Sequence, residues 1–164
     1  MSGWGDTNLI FGARENLLGF EGQPVTAGAM SPTLELGDQI LIDIWRYRRA
    51  APQKGDVIAS CRPIDDRVSF HRVVVVVGES VRIEEGRIYL NDELFDEKSL
   101  PESTTPLPEY VNLPRTVISQ NQIFGLGGHD DLGSFALLRV EGVIGRVTCV
   151  WMSRGRARIG TRGR

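Results

Sequence analysis

Reactive side chains are scarce in this sequence. Two cysteines (Cys61, Cys149), two histidines (His71, His129) and two lysines (Lys54, Lys98) stand among 164 residues, against seventeen arginines. Two cysteines so far apart make neither a Cys-rich zinc module nor a C-x-x-C redox site. They fit one disulfide or two buried thiols equally well. No apolar run approaches the roughly 18 residues of a membrane span, and no signal-peptide pattern opens the sequence. A formal net charge of −2 argues against nucleic acid as a partner. Nothing in the composition calls for a metal or a cofactor. Chemistry that needs a Lys or a His has very few candidates.

What is present is an ordinary globular domain. Hydrophobic residues make up 41% and charged residues 24%, enough for a single core without staples. Residues 1–23 are mixed in character, and Asn8 to Phe20 reads either as a short amphipathic helix or as an extended arm. Trp4, Phe11, Leu17 and Leu18 there form an apolar shoulder for a membrane surface, a partner or the domain's own core. From Pro24 the pattern turns to strands: Gln39–Trp45, Asp56–Cys61, Ser69–Val77, a hairpin over Val81–Leu90 with an Asn91-Asp92 turn, Ile118–Leu126 and Gly142–Met152. Ser69–Val77 is the strongest, because β-branched side chains suit a pleated surface. The expected class is mainly β. Four prolines between Ser99 and Pro114 mark an irregular insertion, with outer limits of about 82–117. The domain then runs over 24–153. The tail, 154–164, carries five arginines and no acid; it reads as a solvated end or as a phosphate contact to lipid or nucleic acid.

One segment carries more information than the rest. Val25 to Asp38 reads V-T-A-G-A-M-S-P-T-L-E-L-G-D. It resembles the signature of type I signal peptidases, P-S-x-S-M-x-P-T-L-x-x-G-D, with Met30, Pro32, Thr33, Leu34, Gly37 and Asp38 in matching register. The resemblance continues through Lys54–Val57 (K-G-D-V), His71–Val74 (H-R-V-V, where the family has K-R-V-V), Gly86–Asn91 (G-R-I-Y-L-N), Val117–Leu126 and Val143–Arg146 (V-I-G-R). It covers about residues 20–152 in the family's order. It implies antiparallel sheets of the signal-peptidase-like fold with a β-hairpin insertion.

The resemblance also implies a chemistry. A serine hydroxyl attacks a peptide carbonyl, a neutral Lys or (in one branch of the family) a His takes the proton, and the serine N–H with a neighbouring hydroxyl forms the oxyanion hole. In this sequence the nucleophile position, just before Met30, is Ala29, and the hydroxyl position two residues earlier is Ala27. A methyl group cannot attack. Ser31 falls in the family's variable slot, about 6–7 Å further along an extended chain. The general-base position is His71, a competent base near neutral pH. Lys54 belongs to a turn motif and Lys98 to the insertion, so no lysine replaces it. Asp130 and Asp131 are the carboxylates that would orient the imidazole, although the stretch Gly127–Ser134 keeps little of the family's last motif. With His129 they could also be read as a metal cluster, but a polar turn is the plainer reading. Met30, Ser31 and Pro32 would line the peptide site.

Three functions follow as expectations. The first is a pseudo-peptidase, dead at Ala29, that binds an extended secretory or surface-protein peptide by strand addition. By resemblance it would work at the extracytoplasmic face of the cell membrane and touch that surface. The second is an active Ser/His signal peptidase whose serine was exchanged for Ala29, seen without its membrane anchor. The third is a small β-rich interaction module that uses the basic tail.

Overall fold

The β-branched run after Val68 becomes the middle of the protein. A computed structural model describes residues 19–25, 30, 32–61, 68–100, 107–130, 133–151 and 157–159. In chain order the strands are β1 (Phe20–Pro24), β2 (Gln39–Asp43), β3 (Val57–Cys61), β4 (Val68–Val75), β5 (Ser80–Glu84), β6 (Arg87–Leu90), β7 (Glu93–Leu94), β8 (Leu113–Val117), β9 (Gln122–Asp130), β10 (Gly133–Arg139), β11 (Val143–Trp151) and β12 (Ala157–Ile159). Among the described residues there is no α-helix, only three short 3-10 turns. The mainly β expectation therefore holds.

Two sheets form. The larger runs β1-β2-β11-β3-β4-β9-β10, with β12 added to β11; the smaller runs β7-β6-β5-β8. All pairings are antiparallel. β4 is buried along nearly its whole length, which is why it reads as a continuous apolar run rather than an alternating one. One core cluster packs Ile40, Ile42, Val57, Ala59, Phe70 and Val147 against Val25, Met30 and Leu34 of the motif loop. A second joins Val74, Val75, Phe124 and Leu126 of the larger sheet to Val81, Ile83 and Ile88 of the smaller. The insertion is thus a hairpin-based sheet docked on the far end of β4 and β9.

Turn chemistry sets the register of that small sheet. Glu85 and Gly86 have φ of 50° and 73°, and Asn91 and Asp92 have φ of 51° and 68°. Two consecutive positive φ values are what a two-residue hairpin turn demands. Pro114 lies in β8, an edge strand, where a missing N–H costs least.

Several sequence expectations need correction. Ile118–Leu126 is not one strand. The S-Q-N-Q stretch turns, with the Gln122 N–H donating to the Ser119 carbonyl (3.0 Å), and β8 and β9 lie on either side. The N-terminal arm ends in a true strand, β1, paired over its whole length with β2; the helix-or-arm alternative for earlier residues lies outside the described residues. Part of the Arg-rich tail is not a solvated end, since Ala157–Ile159 pairs with Cys149–Trp151. The two cysteines cannot be bonded. Ser60 on β3 stands opposite Val143 on β11, so Cys149 is about six residues, or roughly 20 Å, further along the strand. A disulfide needs Cα atoms within about 7 Å.

Two polar anchors hold the turns that precede these strands. The Asp56 carboxylate, in the K-G-D-V motif, accepts from the Tyr47 hydroxyl (2.8 Å) and the Gln53 N–H (3.0 Å), with the Arg146 guanidinium at 3.6 Å. Burial, then the adjacent Asp56 charge and its hydrogen bond, push the Tyr47 hydroxyl far above the ordinary tyrosine range, so it remains a donor. Glu79, in the turn into the insertion, pairs with Lys54 at 2.5 Å. Burial raises its carboxyl, but the Lys54 hydrogen bond, the Val76 N–H and Asn91 outweigh that and hold it below the usual carboxylate value.

Tyr47→Phe is expected to cost about 1–2 kcal/mol, because it strips a donor from a charged acceptor. Thermal unfolding should show a fall of roughly 2–6 °C, and an unchanged midpoint would mean that Asp56 is held without it. The Glu79 contribution has a defined sign. A carboxyl held low when folded stabilises above its unfolded value, about 4.3, and loses that contribution as pH falls through the lower folded value. Both partners are partly exposed, so the effect is at most ~1 kcal/mol. Glu79→Gln should therefore melt slightly below the parent chain at pH 7, and the gap should close by about pH 3.

Candidate functional site

The signature segment folds as a loop stitched to the end of β1. The N–H groups of Thr33 and Leu34 both donate to the Met30 carbonyl (2.7 and 2.9 Å). The Val25 N–H donates to the Asp38 carbonyl (2.8 Å), and the Gly37 N–H to the Val25 carbonyl (3.0 Å). The Asp38 side chain, itself buried, accepts from the Glu35 N–H (2.9 Å). Gly37 has φ of 88°, a conformation that costs glycine little. These contacts explain the motif: Met30 and Leu34 enter the core, Gly37 turns the chain, and Asp38 closes the turn. Pro32 stays exposed.

His71 lies on β4, buried, opposite Ile58 of β3. Beside it runs β9, where two glycines make the room. A Cβ at Gly125 would come within 2.8 Å of the His71 Cβ, and a Cβ at Gly127 within 2.8 Å of the Met30 Cγ. Glycines two residues apart are about 6–7 Å apart along a strand. His71 and Met30 therefore pack against β9 at positions two residues apart, although 41 positions separate them in sequence. The base position and the residue after the nucleophile position thus each lie against β9.

The structure adds polar partners that the sequence reading passed over. The His71 ring Nε2 and the Ser69 hydroxyl are 3.0 Å apart, and the Ser69 and Ser60 hydroxyls 3.1 Å. Ser60 and Ser69 stand directly opposite each other across β3 and β4. All three side chains are buried. A signal was available: Ser69 and His71 alternate on one face, and Ser60 interrupts an otherwise apolar strand. Arg72 is also buried, and its guanidinium donates to the Gly55 carbonyl (2.6 Å). It fastens β4 to the K-G-D-V turn.

Other expected site residues are less accessible to description. Ala27, Ala29, Ser31 and Asp131 lie outside the described residues, as does the metal reading's His129 side chain. Asp130 ends β9, but its side chain lies outside them too. Among the described residues no group of His, Cys, Asp and Glu side chains could hold a metal ion. Likewise, no described helix is long and apolar enough to cross a membrane.

Comparison with known proteins bears on this arrangement. The family described as signal peptidase, peptidase S26, matches residues 10–152. A probable signal peptidase I-1 of Synechocystis is 26% identical over 133 residues, 74% of this chain and 65% of that protein. Signal peptidase I of Pseudomonas aeruginosa is 35% identical over 92 residues, 48% of this chain and 32% of that protein. A Staphylococcus aureus protein named inactive signal peptidase IA is 24% identical over 134 residues, 77% of this chain and 76% of that one. The solved signal peptidase I of Enterococcus faecalis V583 aligns with 60% of this chain and 98% of that chain, at 21% identity and a TM-score of 0.43. The chain spans less than two thirds of the Synechocystis and Pseudomonas relatives' own length. The family match takes in the motif loop, the β4–β9 face around His71 and the whole insertion sheet, and this chain belongs to the signal peptidase family, peptidase S26.

Proposed function

We propose that this chain is a pseudo-peptidase that binds an extended peptide, the signal peptide of an exported protein, in the former active-site cleft. One observation carries the reading. Among the described residues of the M-x-P-T-L-x-x-G-D loop, turn hydrogen bonds hold Met30, Thr33, Leu34, Gly37 and Asp38, with Met30 and Leu34 buried, while the residue before Met30 is Ala29. The loop that follows position 29 is well held, and the Ala29 side chain has no attacking atom. Ala27 removes the second hydroxyl of the family pattern. The peptide would add as a strand, with small side chains beside Met30 and Ser31. The inactive name of the Staphylococcus relative is in keeping with this. The place of action would be the extracytoplasmic membrane face, with the membrane surface as a neighbour.

A second reading, an active Ser/His enzyme whose serine was exchanged for Ala29, draws on the burial of His71 at the base position beside Met30. The codon at position 29 in the gene separates the two.

A fluorescent peptide with small residues at positions −3 and −1 should bind the native chain, as read by anisotropy, and should be recovered uncut after prolonged incubation. Absence of saturable binding would overturn the pseudo-peptidase reading. Efficient cleavage by Ala29→Ser, abolished by adding His71→Ala, would favour the second reading instead.

A further inference from the structure

A basic and aromatic corner lies where the chain enters β1. From Ile44 to Gly55 the sequence is I-W-R-Y-R-R-A-A-P-Q-K-G, with four basic residues and no acid, in a chain whose net charge is −2. Its first part is the 3-10 turn Arg46–Arg48 that follows β2. Tyr47 points inward, donating to Asp56 (2.8 Å) and packing on the cluster of Ile58, Val73 and Ile123. Its neighbours are thereby turned out, and Arg46, Arg48 and Arg49 are all exposed. Lys54 pairs with Glu79. Among the described residues none of the three arginines has an ion-pair partner. Trp45 heads the turn and is 41% exposed. Its ring is held in place all the same. It lies across Gly19, where it leaves no room for a Cβ. Its backbone N–H donates to the Asp43 carboxylate (3.1 Å), and the Arg48 guanidinium stands 5.5 Å from the ring centroid. Residues three apart eclipse in a 3-10 turn, so ring and guanidinium share one side.

We propose that Trp45, Arg46, Arg48 and Arg49 form a docking surface for the anionic phospholipid headgroups of a membrane, and that this corner of the domain faces the bilayer. The inference rests on the reading that the chain works at a membrane face, and it names the surface that meets it. Exposed guanidiniums present forked donors that match phosphate oxygens. An indole has an apolar body and one N–H, and such rings settle at the level of the headgroups. Held between Gly19 and Arg48, this one loses little freedom on docking. Nucleic acid fits less well. The chain is net negative, and three arginines on one turn make few of the phosphate contacts on which duplex affinity rests. The course of the chain agrees with a membrane. The Ile44 N–H donates to the Gly19 carbonyl (2.8 Å), and Leu17 and Leu18 immediately precede Gly19 in sequence. The apolar shoulder of the N-terminal segment therefore joins the domain at this corner.

The test is sedimentation of the full native chain with large vesicles. It should bind vesicles of equal parts phosphatidylglycerol and phosphatidylcholine, bind phosphatidylcholine alone far more weakly, and lose affinity as salt screens the charges. One arginine near such a surface is worth about fivefold in affinity, so Arg46→Gln, Arg48→Gln and Arg49→Gln together should weaken binding roughly a hundredfold. Should the triple variant fold poorly, the three single variants carry the same test, at about fivefold each. The basic tail is the competing source of attraction. Exchanging Arg154, Arg156, Arg162 and Arg164 for Gln should leave most of the binding in place. Binding that falls with the tail and survives loss of the corner overturns the proposal. So does absence of native binding to the mixed vesicles, a loss of less than about fivefold in the folded triple variant, or capture of polyglutamate in preference to vesicles. Anisotropy with the small-residue peptide, measured without vesicles, reads the pseudo-peptidase proposal separately, so that either can fail alone.

Discussion

Everything at the site depends on how closely β9 lies against β4. The approach is possible because residues 125 and 127 have no side chains. A methyl at either would run into His71 or Met30. Sheet neighbours ordinarily interact through paired side chains; at these two places the strand yields its own to make room for another's. That single concession seats a buried imidazole and the end of the motif loop against one strand. Without it neither His71 nor Met30 could lie against β9 as it does.

The same strands carry the second core. Past the glycines, Phe124 packs with Val75, and its ring stacks on Phe135 of β10 with centroids 5.7 Å apart. Aromatic stacking at this range adds to the area buried. The insertion sheet leans on that cluster through Val81, Ile83 and Ile88. Glu79 ties its first turn back to Lys54. The insertion is therefore not a passenger. It buries the outer ends of the strands whose inner ends hold the site, so loosening it would be felt at His71 through β4 and β9.

Much of this was legible in the sequence, for identifiable reasons. Strong β-branched runs gave β3, β4 and β11 close to their true limits, and the paired positive-φ turns of the hairpin were marked by Gly86 and Asn91. What failed were elements whose pairing, not their composition, makes them strands. β1 contains a glycine and ends in Pro24, so it has poor intrinsic preference and exists by its register with β2. β10 (G-S-F-A-L-L-R) suits a helix as well as a strand and is decided by β9. The turn at Ser119–Gln122 interrupts an apolar pattern that reads straight through. At the site, the motif named Met30 and His71, but nothing in the spacing could register Ser60 opposite Ser69. That depends on the length of the connection between β3 and β4, which leaves no trace in hydrophobic periodicity.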